Sequence, residues 1–591
     1  MKIMKEILNM LLLLFVGIYG TYAQTAFSTL DYYNVSATFN NKNSLFWDGF
    51  GEPQFEAPKG SGKHSIFASA LWIGGVNAQT DDIHLAATRF GQMGQDFYPG
   101  PIMNSEHYVS ERPQYDRIFK LSCEEIEEFR AYTSCLNDPD CDVNVAFPFY
   151  VIPSDILDWP AHGDTTKGMA LNLAPFVDVN GDNVYSPFQG DFPKIKGKQM
   201  LYFILSDDGM HTESGGEAMQ IEIHVSAYVN KVFYGFGEDL DLKENAQNNT
   251  IYMNYKIINR SPNTYTNCYT GIWMDSDLGG AKDDYVGCFP SLNTYFTYNG
   301  DGFDENVNGA SGYLDSPPAQ GITFLAGPYK DADGLDNYVP LNTPGESNGI
   351  AYNDGIVDNE RLGLSMHMYH NNSSGPTGDP SSAVEIYHFL QGIWSDGTHM
   401  VEGGNGHTNG CEEPFSCAET NYMFNHDNDV WNEVSSENTP GDRRQLGASG
   451  PFTFTPGQTQ ELDIAYVFAQ ADVSNDNFAA ITKLKEYVLN LPSLSEHKNC
   501  QFDEIASVGP LQTAASSHIF PNPFNDAISI QFNSSIEREI ELINLLGEKI
   551  FVQEVKSKSV KLQLPNIPKG TYFIKVKTAD GSEELHKLIK S

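Results

Sequence analysis

The chain has 591 residues and carries 77 Asp/Glu against 36 Lys/Arg, for a formal net charge of −41. So acidic a protein is excluded as a nucleic-acid binder, because phosphate backbones are held by cationic surface. Its length exceeds one ordinary domain, and 36 Phe, 30 Tyr and 52 Gly are the usage of an aromatic-cored, turn-rich β protein.

Lys2 and Lys5 precede an apolar run over residues 10–18, and Ala23 precedes Gln24. This is a secretory signal over residues 1–23, too short to span a bilayer stably. No Cys follows the cleavage site, which disfavours a lipoprotein anchor, and no later segment has the ~18 apolar residues of a membrane helix.

Residues 24–490 form an acidic body in which two or three packed subdomains are expected. Alternation places strands at 67–73, 200–205, 218–229, 250–258, 269–273, 321–325 and 461–468. Helices are expected over 123–132, with Ser122 as N-cap and Glu125 completing a capping box, and over 477–489. A mainly-β, sandwich-type body follows.

Acids collect in turns, where oxygen ligands would hold calcium. Asp178, Asn180 and Asp182, with the Val184 carbonyl, occupy positions 1, 3, 5 and 7 of a calcium-type loop. Position 12 is Gln189 and the next carboxylate is Asp191, so the loop resembles dockerin-type calcium loops only in its first half. A plain Asn-Gly turn whose side chains bond their own backbone is the alternative. Asp275, Asp277, Asp283 and Asp284 form a second cluster between two strands, to be neutralised by a cation if rigid or solvated if mobile. Asp301/Asp304, Asp331/Asp333/Asp336 and Asp354/Asp358 read as polar turns.

Eight Cys in an exported chain are expected to pair. Cys135 with Cys141 and Cys411 with Cys417 each enclose a short Pro-containing turn. Cys268 and Cys288 bracket the second acidic loop and would staple its flanking strands, and Cys123 with Cys500 would tie the body's end to its beginning.

Catalytic patterns are scarce. Gly447-Ala448-Ser449-Gly450-Pro451 departs from a nucleophile elbow at Pro451 and lacks the strand-to-helix setting. Glu222, His224 and Ser226 share one face of a strand, which suits a metal site, a proton relay or simply a solvent-facing strand. His367 and His370 are similarly placed.

Residues 491–517 are Ser/Ala-rich and read as a linker. After them the composition changes: residues 518–591 hold ten Lys/Arg against nine Asp/Glu, so the acidic excess lies upstream. Six alternating segments at 527–532, 539–544, 548–552, 560–564, 571–576 and 584–589 require a small two-sheet sandwich.

Phe520-Pro521-Asn522-Pro523-Phe524, Leu545-Leu546-Gly547-Glu548-Lys549, Leu564-Pro565-Asn566 through Gly570-Thr571-Tyr572, and Leu588-Ile589-Lys590 carry a resemblance. In these motifs the module resembles the type A C-terminal sorting domain of type IX secretion cargo in the Bacteroidota, with Phe520 where that family usually begins with tyrosine. The resemblance implies an immunoglobulin-like fold, with Pro521, Asn522, Pro523, Gly547, Gly570, Tyr572 and Lys590 as motif residues. It also implies recognition by an outer-membrane translocon and removal by a sortase-like enzyme, leaving the protein secreted or anchored at the outer surface. The body resembles large uncharacterised proteins of the same secreted group through Asp158-Trp159-Pro160-Ala161-His162-Gly163-Asp164, Asp283 to Cys288 and Asp442-Arg443-Arg444. Two readings of the body stand: a non-catalytic, calcium-stabilised module binding glycan, matrix or another cell, or a secreted hydrolase whose carboxylate pair is dispersed in sequence.

Overall fold

The computed structural model describes residues 25–91, 94–230, 240–307, 309–338, 349–407, 418–427, 431–473, 475–497, 499–500, 517–532, 535–544, 549–564, 567–578 and 583–590. The expected leader, Cys411, Cys417 and Gly547 lie outside them. Strands make up 38% and helices 15%, a mainly-β protein.

Two large antiparallel sheets dominate the described body, beside a four-stranded sheet of Phe27–Leu30, Ser36–Asn40, Phe55–Glu56 and His64–Ile66 and a two-stranded one of Phe176–Val177 and Phe192–Pro193. The larger runs in the order Asp284–Phe289, Thr294–Asn299, Ala319–Ala326, Thr459–Ala469, Thr250–Asn259, Ile221–Val229, Gln199–Ser206, with Tyr98–Pro99 and Phe119–Ser122 both paired to the last. The smaller runs Met366–Asn371, Arg443–Phe454, Tyr265–Asp275, Ala68–Asn77, Ile83–Ala87. Period-two alternation turns Ile221, Ile223, Val225, Ile251, Met253 and Ile464 of one sheet toward Leu71, Ile73, Ile272 and Met274 of the other, and all are buried in one cluster. Each such side chain contributes about 1.5–3 kcal/mol by leaving water.

The outer face of the smaller sheet is also covered. Trp72 and Trp273 stack at 6.2 Å beneath the helix Ala383–Leu390, within a second buried cluster. Outside the larger sheet lies the helix Asn477–Leu489, capped by Asp476, which accepts from the N–H groups of Phe478 and Ala479. Leu484 of this helix seats over Gly321, where a Cβ would meet its Cδ1 at 2.9 Å, so any larger residue there would push Leu484 aside. The helix Cys123–Asn137 shows the Ser122/Glu125 capping box and runs past the expected 132, with Thr133 Oγ1 donating to Phe129 O. The described residues of the body fall in one compact unit that extends to Cys500.

Cys123 is bonded to Cys500 and Cys135 to Cys141. The expected Cys268–Cys288 bridge is absent: both are buried free thiols. The reason is topological. Cys268 lies in the smaller sheet opposite Phe452, whereas Cys288 lies in the larger one opposite Tyr295, so the loop between them crosses from sheet to sheet and closes no hairpin.

The described residues from 517 onward form the second unit. Ser517–Phe520, Ala527–Phe532 and Ser559–Gln563 make one sheet, and Lys549–Val555, Arg538–Asn544, Gly570–Thr578 and Glu583–Lys590 the other. Ile528, Ile530, Ile540, Leu542, Ile574 and Leu588 fill the space between.

Candidate sorting module and candidate metal centre

In the C-terminal module, residues from both ends of the motif set meet. Asn522 Oδ1 accepts the Ile589 N–H at 2.8 Å, and the Phe524 N–H donates to Ile589 O at 2.9 Å. Lys590 is 8% exposed; its Nζ donates to Leu564 O at 2.6 Å and lies 5.8 Å over the Phe524 ring. Tyr572 Oη donates to Pro568 O at 2.7 Å. Lys590, Phe524 and Tyr572 are therefore internal pins, while Phe520, Pro521, Asn522 and Pro523 stay at the surface.

The loop at 178–191 gathers Asp178, Asp182 and Asp191 with ligand atoms within 4.8 Å of one another. Every carboxylate oxygen has a protein donor. Asp178 accepts from Gly181 N and Asn183 N (2.7 Å each), Asp182 from Val184 N (2.8 Å) and Asn180 Nδ2 (2.9 Å), and Asp191 from Val179 N (2.8 Å) and Ser186 N (2.9 Å). Gly181 adopts φ +77°, which the tight turn requires. The Asn183 N–H leads the group of backbone donors that hold the Asp178 carboxyl below its ordinary range. These are the hydrogen bonds of the side-chain-to-backbone turn given above as the alternative, and the three carboxylates still lie close enough to share an ion.

The second cluster differs. Asp275 ends a strand, and its register partner Arg444 donates from Nε to Oδ2 at 3.2 Å. Asp277, at φ +42°, and Asp442 complete a trio with ligand atoms within 4.8 Å, and Asp442 is a member that sequence spacing does not reveal. Asp442 Oδ2 accepts from Asn372 Nδ2 at 2.8 Å, and Asp284 Oδ2 from Leu278 N at 3.1 Å. Asp275 Oδ1, Asp284 Oδ1 and Asp442 Oδ1 are buried with no hydrogen-bond partner. Burial, then the Asp277 charge, pushes Asp275 far above the carboxylate range. Burial and Asp442 push Asp277 up to about 7, and burial lifts Asp284 as well. Asp283 stands apart, half-buried, raised to about 7 by burial and then by Asp304.

Arg444 also binds Asp379, whose Oδ1 lies 2.9 Å from His370 Nδ1. Trp273 Nε1 donates to His370 Nε2 at 3.1 Å, which leaves the imidazole proton on Nδ1, close to Asp379 but without a hydrogen bond to it. Despite burial, His370 and Arg444 hold the Asp379 carboxyl down at about 2.

Glu222, His224 and Ser226 do share a face, but it is covered, not solvated. Glu222 is fully buried and accepts from Ile102 N at 2.9 Å, His224 Nδ1 lies 2.6 Å from Tyr202 Oη, and the Tyr202 ring packs 4.9 Å from Trp159. Ser449 sits in the strand Arg443–Phe454 with Oγ donating to Gly363 O at 2.7 Å, so it is no elbow nucleophile. His367 and His370 are fully buried. An open cleft of about 630 Å³ is lined by Tyr115, Arg117, Phe119, Asp158, Trp159 and His162. Its polar groups are engaged: Arg117 pairs with Asp155 and Asp158, Trp159 Nε1 donates to Pro175 O, and His162 Nε2 accepts from Tyr185 N.

Residues 518–591 match the secretion system C-terminal sorting domain. No curated protein matches the chain. Among solved structures it is similar to a DUF3244 family protein with an immunoglobulin-like β-sandwich fold from Bacteroides vulgatus, at 11% identity, TM-score 0.12, over 13% of this chain and 85% of that one. It is similar to CopC from Methylosinus trichosporium at 17% identity, TM-score 0.10, over 12% and 88%. A polysaccharide lyase is similar at 7% identity, TM-score 0.16, over 71% and 37%. Likenesses at such scores decide nothing about the body. The sorting-domain match supports a type IX secretion cargo protein that is released or attached at the cell surface. No helix among the described residues is long and apolar enough to cross a membrane.

Proposed function

We propose that the chain is a Bacteroidota cargo of type IX secretion whose tail is read by the translocon and removed by a sortase-like enzyme. On this reading the body then works outside the cell as a non-catalytic binding or structural module stiffened by calcium, with glycan or matrix as its partner class. The sorting-domain match over residues 518–591 carries the secretion half of this reading. The fate of the catalytic candidates supports the other half: Glu222, His224, His367 and Ser449 are buried, and each side chain is occupied by structural hydrogen bonds. The test is fractionation of cells producing the whole chain or one ending at Cys500, in hosts with and without a working type IX translocon. The whole chain should leave the cell only where the translocon works, and the truncated chain should stay in the periplasm. Efficient export of the truncated chain would refute the sorting role.

A further inference from the structure

We infer that Asp275, Asp277 and Asp442 together hold one hard divalent cation of the calcium class at the crossing between the body's two sheets. This rests on the calcium reading above and assigns the site. Calcium takes oxygen ligands at about 2.3–2.6 Å, so two oxygens on opposite sides of the ion stand about 4.8 Å apart. The three carboxylates offer ligand atoms within 4.8 Å of one another, close enough to share one such ion.

The separate observation is the orphaned oxygens. Asp275 is 3% exposed, yet its Oδ1 has no hydrogen-bond donor, and neither has Asp442 Oδ1. A buried acceptor left unmade is costly, and a buried charge more so. The 178–191 loop has all six of its carboxylate oxygens answered by N–H donors, so the two acidic clusters are chemically unlike.

Charge points the same way. Arg444 serves Asp275 and Asp379 and stands 3.8 Å from Asp442, while Arg443 is taken by Glu433. One guanidinium facing four carboxylates leaves a deficit that a divalent ion would largely fill. The trio is all oxygen, which selects calcium, magnesium or manganese over the thiolate- and imidazole-seeking metals. Its three ligands come from the end of the strand Tyr265–Asp275, from the loop that leads to Asp284–Phe289, and from the residue before Arg443–Phe454. A bound ion would thus clamp the crossing loop to both strands of the smaller sheet that flank it.

The test is calcium titration calorimetry on the full secreted chain, after chelation, with thermal midpoints in calcium and in chelator. Asp277→Asn with Asp442→Asn changes two partly exposed residues without changing their shape, so folding should survive. An unshifted or raised midpoint in chelator verifies that, since the change removes like-charge repulsion. Expected are loss of one calcium equivalent per chain and collapse of the calcium-induced midpoint shift. The control Asp178→Asn with Asp182→Asn should keep both. If the Asp277/Asp442 variant folds and retains the parent's stoichiometry and shift, the site is wrong. Loss in the control variant alone would leave a calcium-stabilised body with a different site, whereas a parent that binds no calcium refutes both.

Discussion

Asp275 and Arg444 are register partners on adjacent strands, 169 residues apart in sequence, and their side chains meet at 3.2 Å in a buried pocket. Although burial works against its charge, Arg444 is held more firmly protonated than usual by Asp275 and Asp379. Removing one partner of a buried pair strands the other charge, at a cost of about 3–5 kcal/mol. Arg444→Met should therefore lower the body's urea stability by that order, and Arg444→Lys should recover only part, because one ammonium cannot fork between two carboxylates. A Met variant as stable as the parent would show that the acids are protonated or otherwise neutralised.

The two disulfides differ in leverage. Cys123–Cys500 closes a sequence separation of 377 and Cys135–Cys141 one of 6, so chain entropy assigns the long bridge about 6 kcal/mol and the short one about 2. Non-reducing peptide mapping should recover both bridges and return Cys268 and Cys288 as free thiols. Cys500→Ser should cost the body more than Cys141→Ser, and the reverse order would contradict the assignment.

Much of this architecture is legible because alternation and capping are local physics. The Ser122/Glu125 box, the helix at 477–489 and the seven strands expected in the body follow from spacing within a few residues, whereas the longest strand, Arg443–Phe454, is not among those expected. The helix Ala383–Leu390 carries the same kind of signal in Ser382 and Glu385, whose N–H donates to Ser382 Oγ at 3.3 Å, and that signal is easily passed over in an apolar stretch. What alternation cannot supply is the surroundings: it gives Glu222 and His224 a common face, but only the fold sets Tyr202 beside it on the next strand and Trp159 against Tyr202. The acidic centre is half legible for the same reason. Asp275 and Asp277 are neighbours in sequence, whereas Asp442 and Arg444 arrive only through strand pairing.

The tail has its own core, so its stability should be separable from that of the body. Ile574 is fully buried in that core, and truncating such a side chain costs about 2–5 kcal/mol. In calorimetry of the full chain, Ile574→Ala should lower one transition and leave the other in place. A single transition that shifts as a whole would mean that the two units unfold together.

Acid should weaken the body through histidines kept neutral. Burial pushes His367 and His497 down to about 4 each; His367 Nε2 lies 3.0 Å from Gln445 Oε1 and His497 Nδ1 2.7 Å from Tyr228 Oη. The unfolded chain binds these protons near pH 6.5 and the folded one only near pH 4. Their contribution is therefore complete above about pH 6.5, is lost as pH falls from there to about 4, and changes no further below. At pH 5 the loss is on the order of 2 kcal/mol per histidine. The raised carboxyls of Asp277 and Asp283 take up protons in the folded state over the same range and work the other way, so the difference between parent and variant is what isolates the histidine. Between pH 7.5 and 5.0 the urea midpoint of His497→Gln, though lower at pH 7.5, should shift less toward instability than the parent's. If parent and variant fall in parallel, His497 is not among the groups that take up protons on unfolding.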